Sequence, residues 1–225
     1  MKNLLLKLFQ NLIFTINYLS RHNLSEKNLL KNIKIKNGTV FDVGSNVGTF
    51  IEFINKNIEG KLKFHSFEPI AELCKFQEKN FSNLDIEINN IGIGSSPGKN
   101  IFYTNSVLSQ SSFIKKENFN IGKVIKKEEV LVNSIDNYCE ENNIEFIDIL
   151  KIDTEGTDYD ALLSAKNMFQ NKAINLIKIE ITNEPTNLSN IFLFFQNYNY
   201  ELLGFCNQKF TDNRVLFVDA YFIKP

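Results

Sequence analysis
Thr39-Val-Phe-Asp-Val-Gly-Ser-Asn-Val-Gly-Thr-Phe50 is an apolar run that enters Asp42 and a glycine turn, with helical amphipathic spacing after it. That order marks a strand, a nucleotide-cofactor loop and a helix. A dinucleotide loop carries G-x-G-x-x-G so that the backbone can close on a pyrophosphate. Here the spacing is Gly44-x-x-x-Gly48, and Asn46 stands where the second glycine would be. Asp42 lies two residues before the first glycine, where a buried carboxylate repels phosphate but suits ammonium and sulfonium groups. S-adenosylmethionine has that charge pattern.

Lys61-Leu-Lys-Phe-His-Ser-Phe67 reads as a second strand ending in Glu68-Pro69, about 20 residues past Gly48. An acidic residue at that offset is placed to accept the ribose hydroxyls of an adenosine. Pro69 stops the strand and presets φ for the helix expected from Ile70.

The chain of 225 residues is 43% hydrophobic and 23% charged, enough core material for one large α/β domain and unlike a disordered chain. The net charge of −1 makes no electrostatic case for nucleic acid. Cys74, Cys139 and Cys206 are far apart and lack C-x-x-C spacing, which points to a reducing, cytoplasmic setting without a disulfide framework. Residues 1–36 are expected as a helical extension and 37–225 as the catalytic domain. Within Met1 to Ser20, Leu5, Leu8, Phe9, Leu12, Ile13, Ile16 and Leu19 keep helical spacing. No apolar run there reaches membrane-spanning length, and no A-x-A-like cleavage site follows. Such a stripe is expected to pack on the domain or a second subunit as a homodimer, or to touch a membrane surface on the cytoplasmic side.

Alternating strand-like and helix-like segments predict a doubly wound, mostly parallel α/β sheet of seven strands. The strands are expected near 39–43, 61–67, 85–89, 146–152, 174–181, 200–205 and 215–223, the last two as an antiparallel hairpin with 207–213 as its loop. Helices are expected near 47–57, 70–80, 134–142, 157–166 and 188–196. The stretch Gly92 to Glu129 breaks the alternation, with one possible strand at 100–104 and a lysine-rich tail. It leaves the carboxyl edge of the sheet and is the candidate substrate lid.

Asp148-Ile-Leu-Lys-Ile-Asp-Thr-Glu-Gly156 is a buried strand that ends in charge, with Asp153 and Glu155 at its tip and Asp153 expected across the crevice from Gly44. Asn175-Leu-Ile-Lys-Ile-Glu-Ile181 brings Glu180 to the same edge. Asp153, Glu155 and Glu180 are suited to taking a proton from a hydroxyl, or to holding a divalent metal such as Mg²⁺ or Mn²⁺ that acidifies it; the metal ligands stay unassigned. Helix capping is the competing role for Asp153 and Glu155.

Phe41-Asp-Val-Gly-Ser-Asn-Val-Gly48, Phe67-Glu-Pro69 and Leu150-Lys-Ile-Asp-Thr-Glu-Gly156 together resemble the FkbM family of S-adenosylmethionine-dependent methyltransferases. Ser111-Ser112-Phe113 and Ile135-Asp136 are weaker points of likeness. His65-Ser66 and Ser45 depart from the family pattern without affecting cofactor binding. The resemblance implies a Rossmann-like class I methyltransferase acting on an oxygen, often a hydroxyl of a sugar, glycan or natural product. It also implies that Asp42, Gly44, Asn46, Gly48 and Thr49 hold the methionine end, Glu68 the ribose, and Asn90 with Ile91 the adenine edge. Asp153 and Glu155 would border the transferring methyl. An NAD-dependent oxidoreductase is disfavoured by Asn46 and Asp42, and a non-catalytic Rossmann-like binding module by the polar residues kept at the strand tips. No nucleic-acid partner is expected, since no basic stripe with interleaved aromatics accompanies the site.

Overall fold
Strands form where apolar residues run together or alternate. β1 (Asn37–Val43), β2 (Lys61–Phe67) and β7 (Ile147–Ile152) each end in four consecutive buried residues, the pattern of strands covered on both faces. The computed structural model of the chain describes residues 26–115, 122–182, 185–211 and 214–225. With β3 (Ile86–Asn89), β8 (Ile174–Thr182), β9 (Glu201–Thr211) and β10 (Arg214–Ile223), these strands make one seven-stranded sheet ordered β3-β2-β1-β7-β8-β10-β9. All neighbours are parallel except β10, which runs antiparallel to both β8 and β9. The chain winds outward from β1 to β3, then returns to place β7 on the other side of β1. A crevice therefore opens at the carboxyl ends of β1 and β7.

Period-two alternation divides the core between the two faces of the sheet. Phe41, Leu150 and Ile177 pack in one cluster with Ile135 and Tyr138 of α4 (Ile135–Glu141) and Phe194 and Phe195 of α7 (Pro185–Asn197). Their chain neighbours Val40, Ile149 and Leu176 pack in the other cluster, against Phe50, Ile51 and Ile54 of α2 (Thr49–Asn57) and Leu30 of α1 (Glu26–Leu30). Truncating such fully buried side chains costs about 2–5 kcal/mol each, so the register of these strands is strongly specified. α3 (Ala71–Asn80) buries Leu73, Cys74 and Gln77.

The segment after β3 differs from expectation. β4 (Gly92–Ile93), β5 (Gly98–Asn105) and β6 (Val124–Asn133) form a separate three-stranded sheet ordered β4-β6-β5. The lysine-rich tail is strand β6 in its outer part, where Lys126 pairs with Glu128 and Lys99 of β5 with Glu129. The helix expected over 157–166 is broken into α5 (Asp158–Leu163) and α6 (Lys166–Gln170). Ser164 Oγ donates to Ala161 O at 2.6 Å, and Asp136 accepts from the N–H groups of Asn167 and Met168, starting a new helix there. The terminal hairpin strands reach Thr211 and Arg214, so the turn is shorter than the expected 207–213. The amphipathic helix expected over residues 1–20 lies outside the described residues. No helix among the described residues is long and apolar enough to cross a membrane.

Candidate active site
Asp42 and Lys151 are register partners on adjacent strands, which puts both side chains on one face of the sheet. The Lys151 ammonium stands 2.9 Å from Asp42 Oδ1, with both side chains buried. It also donates to Gly44 O at 2.6 Å and Val43 O at 3.2 Å, and lies 3.9 Å from Asp153 Oδ2. Burial raises the Asp42 pKa and works against the charge on Lys151, but Asp42 and Asp153 together hold the lysine above its ordinary value. Strand alternation alone assigns Lys151 no partner; the signal was its place beside a carboxylate that burial forces to find a cation. Beyond this ion pair, neither Asp42 oxygen has a hydrogen-bond partner among the described residues.

The loop after β1 is shaped by close approach. Gly44 has φ +71°, and a Cβ there would stand 1.9 Å from the Asp153 carbonyl oxygen. The sheet tip can close only without that side chain. Gly48, at φ +82°, lies against the Phe81 ring and starts α2. Asp153 N donates to Val43 O at 3.1 Å, which ties the tip of β7 to that of β1 across the crevice.

Glu68 follows β2 and is 5% exposed. Its Oε2 accepts from Asn46 N at 2.8 Å and its Oε1 from Ile70 N at 2.9 Å. Burial raises its pKa, and those two backbone donors oppose the rise. Each oxygen keeps a lone pair for a ligand hydroxyl. Asn90 donates its amide to the carbonyls of Glu68 (2.9 Å) and Pro69 (2.8 Å), and Ile91 packs partly buried on the main core. On that side the wall is Gly92 and Ile93, so Asn90 and Ile91 stand behind the position the resemblance implied for them.

A cavity of about 540 Å³ occupies the crevice, lined by Gly44, Asn46, Thr49, Glu68, Asp153 and Glu155 among others. The three-stranded lobe closes one side through Phe102, Leu108, Ser109, Ser111 and Phe113. Glu155 has φ +57° and is held by that lobe: Gln110 Nε2 donates to both its carboxylate oxygens, at 3.1 and 3.2 Å, and Ser112 Oγ donates to its carbonyl at 3.0 Å. The turn between β7 and α5 is satisfied by Asp158, which accepts from Thr154 N at 2.7 Å and Gly156 N at 3.1 Å. Thr157 is the cap residue of α5, so neither Asp153 nor Glu155 caps that helix.

Glu180 is half-buried on β8. Burial, then the charges of Asp153, Asp158, Glu155 and Asp219, push its pKa up to about 9. At neutral pH this favours the protonated carboxyl in the ligand-free protein. Glu26, Cys206 and Asp219 cluster closely enough to suggest a cation site. The Lys178 ammonium stands between the two carboxylates, 2.7 Å from Glu26 and 2.9 Å from Asp219, and supplies the positive charge itself.

The donor set fits S-adenosylmethionine. Glu68 offers two acceptors beside the loop and the Gly44 turn places no side chain against them, while Asp42, fully buried and paired with Lys151, stands behind the lining and does not form part of it. With this strand order, a crevice of that kind defines a class I methyltransferase fold. The chain belongs to the FkbM family of S-adenosylmethionine-dependent methyltransferases, whose FkbM methyltransferase domain matches residues 42–202. A methyltransferase FkbM from Methylobacillus flagellatus shares the fold at TM-score 0.55 and 14% identity, over 84% of this chain and 45% of the other. This chain thus spans less than half the length of that protein. An rRNA methylase from Streptococcus thermophilus superposes at TM-score 0.50 and 10% identity, over 88% and 93% of the two chains. Identities this low speak for the fold alone. No curated protein matches the chain in sequence.

Proposed function
We propose that the protein is an O-methyltransferase for a hydroxyl of a sugar, glycan or related small molecule, with Asp153 or Glu155 accepting the hydroxyl proton. The observation that carries this reading is one cavity lined both by the glycine loop with Glu68 and by the two carboxylates of the β7 tip. Gly44, Asn46 and Thr49 would hold the methionine end, with Asp42 and Lys151 paired behind them, and Glu68 the ribose. The cofactor, when bound, supplies an electrophilic methyl on a sulfonium. Asp153 and Glu155 then have two tasks, to orient the acceptor hydroxyl in line and to take its proton as the oxygen becomes a nucleophile.

Electrostatics support a neutral acceptor over nucleic acid. The cations that line the cavity among the described residues, Lys151 and Lys178, are each engaged by carboxylates, so neither is spare for phosphate. Three free, buried cysteines suit a cytoplasmic setting. A carboxylate-bound Mg²⁺ or Mn²⁺ is an alternative means of acidifying the hydroxyl. We assign residues 1–36 to an N-terminal extension whose first 20 residues mediate homodimer or membrane-surface contact, while Leu30 and Ile35 pack on the core, and 37–225 to the catalytic domain.

The test is methyl transfer to a panel of sugars and glycans by the wild type, Asp153→Asn and Glu155→Gln. At least one variant is expected to lose about 10²- to 10⁴-fold in turnover while S-adenosylhomocysteine affinity changes less than about tenfold. Loss of activity with a chelator, restored by Mg²⁺ or Mn²⁺, assigns the acidifying role to a metal. Wild-type turnover in both variants sinks the carboxylate mechanism.

A further inference from the structure
Asn46 holds φ +52° in the turn between β1 and α2. Asparagine visits that region more readily than most residues but is not confined to it, so holding it there needs an enforcing contact. The enforcement comes from Gln77 of α3, which is completely buried. Gln77 Nε2 donates to Asn46 O at 2.6 Å and to Ser45 Oγ at 2.8 Å, while its Oε1 accepts from Ser66 Oγ at 2.6 Å. Ser66 Oγ and Ser45 Oγ are 2.7 Å apart. Each hydroxyl has one proton, so the bonds close in a single sense: amide to Ser45, Ser45 to Ser66, Ser66 back to the amide oxygen. The second amide proton is left for Asn46 O. A carbonyl only accepts, which fixes the orientation of the amide.

The peptide group held in this way is functional. Its neighbouring N–H, that of Asn46, donates to Glu68 Oε2 at 2.8 Å. Ser66 lies two residues before Glu68 on the same strand, so one network spans both halves of the cofactor site.

We propose that Gln77 is a positioning residue for the cofactor, acting through Asn46 to hold the Glu68 carboxylate where it meets the ribose hydroxyls. The inference rests on the reading of Glu68 as the ribose acceptor. Loss of the Gln77 amide frees the turn to leave its left-handed conformation, and Glu68 loses one of its two backbone donors. Affinity falls even though Gln77 does not touch the ligand.

S-adenosylhomocysteine binding by calorimetry tests this with Gln77→Met, Gln77→Glu, Ser66→Ala, Glu68→Ala and the Gln77→Met/Glu68→Ala double variant. Gln77→Met is expected to weaken binding about tenfold. Gln77→Glu, which keeps size but loses the Nε2 donor, should do the same and carries the test if the Met variant does not fold. Ser66→Ala leaves both donated amide bonds in place, removes only the donor to Gln77 Oε1, and should weaken binding less than Gln77→Met does. In the Glu68→Ala background, Gln77→Met should add less than about a twofold change, because the two act in series. An equal loss in both backgrounds means that Gln77 only supports the fold, and overturns the proposal. Wild-type affinity in both Gln77 variants, with Glu68→Ala impaired, also overturns it while sparing the ribose reading. Wild-type affinity in Glu68→Ala itself removes the ribose reading and the proposal with it.

Discussion

Glu180 shows how burial and neighbouring charge set the protonation of a single carboxyl. Its carboxyl keeps a proton up to about 9 against an ordinary 4.5, because burial and four neighbouring carboxylates disfavour its charge. The unfolded chain releases that proton near 4.5, so between the two values the folded state binds more protons. The resulting stabilisation is fully present below 4.5 and is lost as pH rises toward 9. Glu180→Gln removes this titration and keeps the shape. Calorimetric melting of the ligand-free protein from pH 5 to 9 should show the variant more stable than the wild type at pH 8 by more than about 1 kcal/mol, with a flatter profile. Parallel profiles for the two proteins would show that Glu180 is ionised in the fold.

At the scale of the element, β2 holds a titrating group in its interior, away from the site. His65 is 3% exposed between Phe41 and Tyr138, and its Nδ1 lies 2.9 Å from the Tyr138 hydroxyl. Asn89 donates to that hydroxyl at 3.2 Å. Burial, with Lys63 nearby, lowers the His65 pKa from 6.5 to about 4. The unfolded chain takes up the proton first on acidification, so this contribution is present above 6.5 and lost as pH falls toward 4. In the Glu180→Gln background, which removes the opposite titration of that carboxyl, denaturant titrations should show a loss on the order of 1–2 kcal/mol between pH 6.5 and 5. His65→Gln, which keeps a partner for Tyr138, should flatten that interval. An unchanged slope would assign the acid limb to other groups.

At the scale of the whole molecule, the cavity exists because two sheets meet: the seven-stranded sheet supplies its floor, and the three-stranded lobe supplies a wall and the grip on Glu155. A ligand in that seam bridges both units, so binding should stabilise the entire chain. At a concentration one hundred times its dissociation constant, S-adenosylhomocysteine should add about 2.7 kcal/mol, a rise of roughly 5–10 °C in melting temperature for a chain of this size. NAD should leave the transition where it was. A shift with NAD and none with S-adenosylhomocysteine would reverse the cofactor assignment.

What the sequence by itself determined was the chemistry written in adjacent residues. Asp42 before Gly44, Glu68 before Pro69 and Asp153-Thr-Glu155 before Gly156 each sit at the end of an apolar strand, and strand ends are legible because burial imposes a short, local period. Parallel winding then forces those ends to one edge, so the crevice followed from the order of the elements. Only the tertiary structure decided what holds the site in place. Lys151 against Asp42, Gln77 against Asn46, Gln110 against Glu155 and the charges crowding Glu180 join residues far apart in the chain, with no period to announce them. The lysine-rich segment went the same way. Its exposed residues have no apolar stripe, and backbone pairing with β5 is what made Val124–Asn133 a strand. Hydrogen bonds and ion pairs between distant residues depend on where the packed core delivers each side chain, and that is settled when the whole chain folds.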